Sequence, residues 1–314
     1  TDGQSVNIVY SGSTNGWIPI EDDTVTDAPV TGNSEGIFGF GYDGSVVSMT
    51  NLVSNAGVVA TDVTGVGTDR EQVAACEYGN DKGIFGFGRD AGASAVGMTN
   101  LVSNAGVVAT DVSAVGTARR YSAACGYGGD KGIFGFGDSG SYTAITSLVS
   151  NVGVVSADVT GVGTARTGPA ACEYGKDKGI FGFGYTGSAT AVTNLVSNAG
   201  VVATDTTGVG TARYYQGACG YGYDKGIFGY GNGPVSMTNL VSNAGVVASD
   251  VTGVGTARHD LAACEYGEDK GIFGFGYGGG YVGITNLVSN AGVVASDVAA
   301  VGTARAGPAG CSFN

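Results

Sequence analysis

The chain has 314 residues, of which 60 are glycine, 43% are hydrophobic and 13% are charged, and its net charge at pH 7 is −13. A chain this acidic, with no basic stripe, repels phosphate backbones, so nucleic acid is not expected as a partner. No apolar stretch reaches the ~18 residues of a membrane helix, so we expect no membrane insertion, and the lack of a Gly-X-Y register excludes collagen.

Residues 1–35 do not share the pattern of the remaining chain. Within them, SVNIVYSG (5–12) alternates apolar and polar residues as a strand does, and TVTDAPVTGNS (24–34) has the composition of a linker. We interpret residues 1–35 as an extension that tethers the chain to another protein or pairs with an identical chain. A disordered leader is the alternative.

From residue 36 onward, one sequence unit recurs six times. Its marker is Gly-Ile-Phe-Gly, which returns every 45–49 residues. The first glycines of the marker are Gly36, Gly83, Gly132, Gly179, Gly226 and Gly271. A period of this length is typical of propeller blades or helical pairs, and a composition rich in Val, Thr, Tyr, Phe and Gly favours strands. We therefore predict an all-β fold, a six-bladed β-propeller, with four short strands in each blade.

The second predicted strand of each blade, Gly-Ile-Phe-Gly-Phe-Gly, accounts for much of the glycine. Because successive side chains of a strand point to opposite faces, Phe85 and Phe87 are expected on one face. The residues expected on the other face are Ile84, Gly86 and Gly88. Stacked blades then set the bulky rings of one blade against the bare glycine backbone of the next, and every interface uses the same sequence.

The two ends of the repeat region complement each other. The first unit starts at its second strand, at Gly36, and has no first strand before it. The last unit ends with residues 306–313, a first strand with no second strand after it. We therefore predict that 306–313 completes the blade begun at Gly36, so that 36–314 closes into a ring without an open edge.

Each repeat carries three features in a fixed order. An Arg precedes a first strand of small residues, and an aromatic-rich strand ending in glycine follows. These arginines are Arg70, Arg119, Arg166, Arg213, Arg258 and Arg305. We expect each to form ion pairs or backbone hydrogen bonds with the Asp of a predicted fourth strand. The order resembles kelch-type β-propeller repeats, although their paired glycines and final Trp are absent. The resemblance implies a propeller over 36–314.

Near-identical blocks that begin TNLVSNAGVVA, and the leader SVNIVYSGSTNGWIPIEDDTVTD, look like segments of bacteriophage virion and tail-associated proteins. This second resemblance implies a non-enzymatic structural or adhesion component of a virion, such as a tail, fibre or decoration protein. The protein would then be located in a virion or outside the cell. Its implied partners are other virion proteins or identical chains, bound through residues 1–35, and a host-surface glycan or protein.

Variation among the six copies is confined to two of the four connections of each blade. Because strands alternate in direction, these two connections share one face of the predicted disc. Exposed Tyr with scattered Arg and Asp on rigidly held loops is typical of a recognition surface; drift under weak constraint is the alternative. The candidate partner-binding residues are Tyr42, Arg89, Asp90, Arg120, Tyr121, Tyr142, Tyr185, Tyr214, Tyr215, His259, Tyr277 and Tyr281.

No motif indicates catalysis, a cofactor or a metal. Each repeat has one cysteine in its first strand, and equivalent cysteines point the same way around a ring, so we expect buried free thiols. Three G-x-G-x-x-G matches begin at Gly39, Gly135 and Gly182, but no helix follows to hold a pyrophosphate. His259 is the single histidine. We expect no enzyme activity, no cofactor and no metal.

Two other functions stay open. A stand-alone extracellular glycan-binding propeller, similar to a lectin, would use the same variable face. A propeller enzyme would need His and Tyr ligands for copper, or paired carboxylates near the centre. The single histidine argues against copper, whereas carboxylate pairs such as Asp90 with Asp138 leave a glycosidase open.

Overall fold

The computed structural model describes residues 8–10, 17–19, 33–113, 115–299 and 301–313. None of these residues lies in a helix, so the fold is all-β, as predicted. Contacts divide the chain into two units, Thr1–Thr31 and Gly32–Asn314. In the first unit, β1 (Ile8–Tyr10) pairs antiparallel with β2 (Trp17–Pro19). The tethering role predicted for the extension falls largely on residues outside those described.

The second unit is built from short strands. In chain order they are β3 (Glu35–Tyr42), β4 (Val46–Val53), β5 (Arg70–Glu71), β6 (Ala74–Tyr78), β7 (Lys82–Gly86), β8 (Arg89–Asp90), β9 (Thr99–Val102), β10 (Ala123–Tyr127), β11 (Lys131–Gly135), β12 (Thr146–Val149), β13 (Ala170–Tyr174), β14 (Lys178–Tyr185), β15 (Ala189–Val196), β16 (Gly217–Tyr221), β17 (Lys225–Gly231), β18 (Val235–Val241), β19 (Ala262–Tyr266), β20 (Lys270–Gly274), β21 (Thr285–Val288) and β22 (Ala309–Phe313).

These strands form six three-stranded antiparallel sheets. We number them as the first (β22–β3–β4), second (β6–β7–β9), third (β10–β11–β12), fourth (β13–β14–β15), fifth (β16–β17–β18) and sixth sheet (β19–β20–β21). A further two-stranded ladder joins β5 and β8.

The last strand of the chain belongs to the first sheet. Cys311 of β22 stands opposite Ile37 of β3, in the same register as Cys76 opposite Ile84 in the second sheet. The end of the chain thus supplies the strand that the first repeat lacks, as predicted from the matched ends. The first strands of the six sheets also contact one another in chain order. β6 contacts β10, and the contacts continue through β13, β16 and β19 to β22, which in turn contacts β6.

The prediction of a fourth strand in each blade is wrong, because each sheet has three strands. In the first sheet, the segment after β4 makes only isolated bridges. They are Val53–Val59 and Thr50–Val63. Between these bridges, the side-chain nitrogen Nδ2 of Asn51 donates to the Ala60 carbonyl at 3.0 Å. A side chain therefore takes the place of the backbone donor that a continuous ladder needs.

The face predicted for Phe87 is also wrong. Phe85 packs in a cluster with Ile37 of the first sheet, whereas Phe87 packs with Ile84 and with Phe134 of the third sheet. The backbone at Phe87 is left-handed, with φ of 64°, and this breaks the two-residue alternation as a bulge does. The equivalent aromatic residue of every repeat has this conformation: Phe40, Phe87, Phe136, Phe183, Tyr230 and Phe275.

Glycine backbone receives an aromatic ring wherever neighbouring sheets pack together, as predicted. A Cβ atom on Gly86 would lie 2.8 Å from Cζ of Phe134, which is fully buried. The glycine–ring pairs are Gly39–Phe85, Gly86–Phe134, Gly135–Phe181, Gly182–Phe228, Gly229–Phe273 and Gly274–Phe38. The last pair joins the sixth sheet to the first.

The repeat arginines hold the connections that lead into each first strand. The guanidinium carbon of Arg70 lies 4.3 Å from the ring centre of Phe40, a cation–π contact. Arg70 is fully buried and forms the expected ion pair with Asp111 at 3.5 Å. Asp111 in turn accepts a hydrogen bond from the Thr68 hydroxyl at 2.7 Å. These bonds link the first repeat to the second and keep the connection that leads into β6 in place.

The first strands bring three glutamates together. The residue after each cysteine is, in chain order, Glu77, Gly126, Glu173, Gly220, Glu265 and Ser312. Oε1 of Glu173 occupies the place that a Cβ on Gly126 would take, and Glu265 does the same at Gly220. Burial raises the pKa of all three carboxyls, and repulsion by Glu77 adds to this, raising the pKa of Glu265 to about 8. We call Glu77, Glu173 and Glu265 the glutamate cluster.

Candidate recognition face

The two variable connections of each repeat lie side by side. In the second repeat they pair directly as β5 and β8. Bridges join them in other repeats at Tyr42–Ala306, Arg120–Asp138, Thr167–Tyr185 and His259–Tyr277. At the opposite end of the second sheet, the side chain of Asn104 donates to Asp81 at 3.3 Å and joins the two near-invariant turns. The variable and near-invariant connections therefore lie at opposite ends of the strands.

Nine of the twelve predicted site residues form one continuous series of ring contacts. The contacts, with distances between ring centroids, are Tyr42–Tyr281 (5.7 Å), Tyr281–Tyr277 (5.6 Å), Tyr277–His259 (5.6 Å), His259–Tyr215 (6.4 Å), Tyr215–Tyr121 (4.3 Å), Tyr215–Tyr214 (4.7 Å), Tyr214–Tyr185 (4.9 Å) and Tyr185–Tyr142 (6.0 Å). We call these nine residues the aromatic network. Its members come from five of the six repeats, and the tertiary structure brings those of different repeats together.

The aromatic network offers exposed ring surface on a rigid base. Tyr142, Tyr277 and Tyr281 are 40%, 36% and 38% exposed, and the other members are half-buried. Each ring packs against at least one other, so little side-chain freedom is left to lose when a partner binds. Aromatic side chains held in this way are typical anchors of recognition surfaces.

The three other predicted residues are charged and belong to ion pairs or turns. Arg89 pairs with Glu71 across the β5–β8 ladder. Arg120 pairs with Asp138 at 3.0 Å. Asp90 accepts a hydrogen bond from the backbone N–H of Ser94 at 3.0 Å and stabilises its own loop. These three residues lie on the same two connections, but none of them joins the aromatic network.

A pocket of about 70 Å³ lies where the six repeats meet, at the inner edge of the aromatic network. Two residues of each repeat line it, and we call it the central pocket. Its innermost six residues all have left-handed backbone, with φ between 51° and 63°. They are Gln72, Tyr121, Gly168, Tyr215, Asp260 and Gly307. This conformation costs roughly 1–2 kcal/mol at each residue other than glycine.

Backbone hydrogen bonds connect these six residues in series. The N–H donors and carbonyl acceptors are Gln72 to Gly307 (2.9 Å), Tyr121 to Gln72 (3.1 Å), Gly168 to Tyr121 (3.0 Å), Tyr215 to Gly168 (3.0 Å), Asp260 to Tyr215 (2.9 Å) and Gly307 to Asp260 (2.8 Å). The series starts and ends at Gln72. The wall of the central pocket is therefore fixed by backbone bonds that pass through every repeat.

The side chains around the central pocket divide it into an aromatic and a polar side. Tyr121 and Tyr215 stack at 4.3 Å, and burial, with the nearby Asp260 carboxylate, raises the pKa of Tyr215 to about 12. On the other side, Gln72 and Asp260 flank Gly307. The Asp260 carboxylate also bonds Nδ1 of His259 at 2.9 Å.

The sequence interpretation missed Gln72, Ser122 and Gln216, which line the central pocket. A signal was present, because the three residues after each repeat arginine differ among most copies, whereas the arginine before them and the cysteine of the following strand do not change. The prediction favoured tyrosine over glutamine and serine, because exposed tyrosines are more typical of recognition surfaces. Only the pocket geometry distinguishes them from ordinary loop residues.

Metal ligands and reactive thiols are not assembled in the described part of the chain. No group of three or more His, Cys, Asp or Glu is arranged there to hold a metal ion. The six cysteines are free and buried, as predicted, and burial raises the pKa of their thiols. Thiols of this kind are poor nucleophiles at neutral pH.

Comparison with known proteins finds no family model that matches the chain and no matching curated protein. Among the described residues, no helix has the length and hydropathy needed to cross a bilayer.

Proposed function

We propose that the six sheets form a closed six-bladed β-propeller. The pairing of β22 with β3 and the contact of β22 with β6 support closure. So does the insertion of Phe38 against Gly274, which repeats between the sixth and first sheets the contact found at every other junction. The hydrogen bonds around the central pocket pass through all six repeats and return to Gln72.

We further propose that the protein is a non-enzymatic adhesion component of a virion, and that it recognises its partner through the aromatic network. The observation that carries recognition is the continuous contact of nine aromatic side chains from five repeats at one end of the sheets. The virion assignment rests on the resemblance of the repeats to phage tail-associated proteins. A host-surface glycan is the partner class that exposed, rigid aromatic rings suit best.

Replacing both Tyr277 and Tyr281 by alanine is expected to weaken binding to an immobilised glycan panel by at least tenfold. Both rings are exposed, so their loss removes contact surface without opening the core. The matched control is Val246→Ala, since Val246 is 64% exposed on the near-invariant turn at the other end of the fifth sheet. Equal binding by the two variants would contradict recognition through the aromatic network.

A stand-alone glycan-binding protein is the second candidate, because the aromatic network lies entirely within the second unit. Light scattering on 1–314 and 32–314 separates the two. The shorter chain keeps Asn33 and Ser34, whose carbonyls accept hydrogen bonds from Glu268 and Gly267. If the extension assembles the virion, the full chain is expected to form a defined oligomer and 32–314 a folded monomer. Two monomers would favour the stand-alone protein.

A further inference from the structure

We propose that the central pocket binds one neutral sugar residue, the terminal unit of a glycan that the aromatic network holds. The proposal rests on the recognition function above and assigns a ligand class to one part of the face. The pocket has a volume of about 70 Å³. A single water needs about 10–15 Å³ by this measure, so the pocket has room for several waters or one small ring.

The aromatic side of the central pocket suits the C–H face of a pyranose ring. Tyr215 lies directly over Gly168, where a Cβ would meet its Cδ1 at 2.5 Å, and it stacks on Tyr121. The glycine leaves the space that the Tyr215 ring fills, and the stacked pair has a fixed orientation. An apolar ligand face packs on such a surface at little entropic cost.

The lining of the central pocket also presents hydrogen-bond acceptors that lack a donor. Oε1 of Gln72, Oε1 of Gln216 and Oγ of Ser122 are buried, and no group among the described residues bonds them. Gln216 is held in place because its Nε2 donates to the Gly182 carbonyl at 3.1 Å, which leaves Oε1 as its free atom. Buried acceptors without partners are unfavourable, and the hydroxyls of a sugar are donors that can satisfy several at once.

The charged groups near the central pocket have partners within the protein. Glu71 pairs with Arg89, and the Asp260 carboxylate bonds Nδ1 of His259 at 2.9 Å. No residue that lines the pocket offers a cation to select an acidic ligand. Acceptors beside an aromatic face suit the hydroxyls and the C–H face of a neutral polyol, and charged probes test this preference against choline-like and acidic ligands.

Saturation-transfer NMR on the full chain tests the proposal, with glucose, galactose and mannose as neutral probes and choline and glucuronate as charged probes. Signal transfer to at least one neutral sugar, and none to choline or glucuronate, is the expected result. Gln72→Leu is expected to weaken sugar binding about tenfold, because it removes an acceptor and keeps the side-chain volume. Ser122→Ala removes a second acceptor with a minimal change of shape and is expected to weaken binding several-fold.

Transfer to choline alone, or sugar binding unchanged in both Gln72→Leu and Ser122→Ala, overturns the proposal. The aromatic network is tested apart from the pocket by the double change of Tyr277 and Tyr281 to alanine, which leaves the pocket residues intact. If binding of an oligosaccharide depends on Tyr277 and Tyr281 but not on Gln72 or Ser122, the recognition function stands and the sugar pocket is refuted. If binding of a monosaccharide depends on Gln72 and Ser122 alone, the result supports the sugar pocket and contradicts recognition by the aromatic network.

Discussion

Gly135→Ala is expected to destabilise the repeat unit by about 3 kcal/mol and to lower its melting temperature by roughly 6–12 °C. The added Cβ would lie 2.8 Å from Cζ of Phe181 and 3.2 Å from the methyl group of Thr146. Phe181 is fully buried at the junction of the third and fourth sheets, so its ring has no free space to enter. Thermal unfolding followed by circular dichroism measures the effect.

Two further variants separate the clash from a general effect of removing glycine. Gly280→Ala is the matched control, because a Cβ there meets no atom within 4 Å, and a change below ~0.5 kcal/mol is expected. Adding Phe181→Leu to Gly135→Ala should recover part of the loss, since it removes the ring atoms that collide, with a coupling of about 1 kcal/mol or more. Strictly additive effects of the two substitutions would show that Phe181 does not pack on Gly135.

The unfolding free energy is expected to fall by a few kcal/mol as the pH rises from about 4.3 to 8. Burial, and repulsion by Glu77, raise the pKa of Glu265 to about 8, whereas the pKa of an unfolded glutamate is near 4.3. Within this window the folded state binds more protons than the unfolded chain, so stability decreases with pH, and the dependence levels off above about pH 8. Urea unfolding across this pH range measures the slope.

Glu265→Gln is expected to flatten this slope and to raise stability at pH 8, because glutamine stays neutral in the same place over Gly220. Glu268→Gln, which removes a charge from the turn after β19, is the control in which the slope should persist. The aspartates act at lower pH. Bonds from Thr68 and Asn100, with the charge of Arg70, outweigh burial and lower the pKa of Asp111, so its stabilisation is lost only below about pH 4. A pH-independent stability in the native chain would show that the glutamate cluster does not hold protons in the folded state.

Much of the fold was predictable because the repeats are almost identical. Six copies of one marker at near-constant spacing indicated strands, the unit length and the pairing of the last strand with the first repeat, and β22 does pair with β3. The predicted fourth strand failed because the segment after each third strand makes only isolated bridges. In five of the six repeats the side chain of an Asn, such as Asn51, bonds the carbonyl between the bridges. The prediction of the face on which Phe87 lies failed because the backbone of Phe87 is left-handed. This conformation is uncommon for aromatic residues and carries no sequence signal.

Comparison of the repeats with one another also identified the variable connections. Nine of the residues predicted there form one continuous series of ring contacts. Gln72 and Gln216 were missed because their importance depends on which atoms are left without a hydrogen-bond partner. Hydrogen bonding of this kind is a property of the assembled loops, and no single repeat contains it.

The sequence by itself determined the all-β class, the repeat, the free buried thiols and the end of the strands at which variation collects, because these follow from composition, spacing and comparison of equivalent positions. Tertiary structure alone decided which rings touch, where the central pocket lies and how three glutamates of different repeats come to lie close together. The reason is physical: each of these features joins residues of different repeats, up to 239 positions apart in the contact of Tyr42 with Tyr281. Such contacts depend on how the sheets pack, and local sequence patterns do not specify that packing.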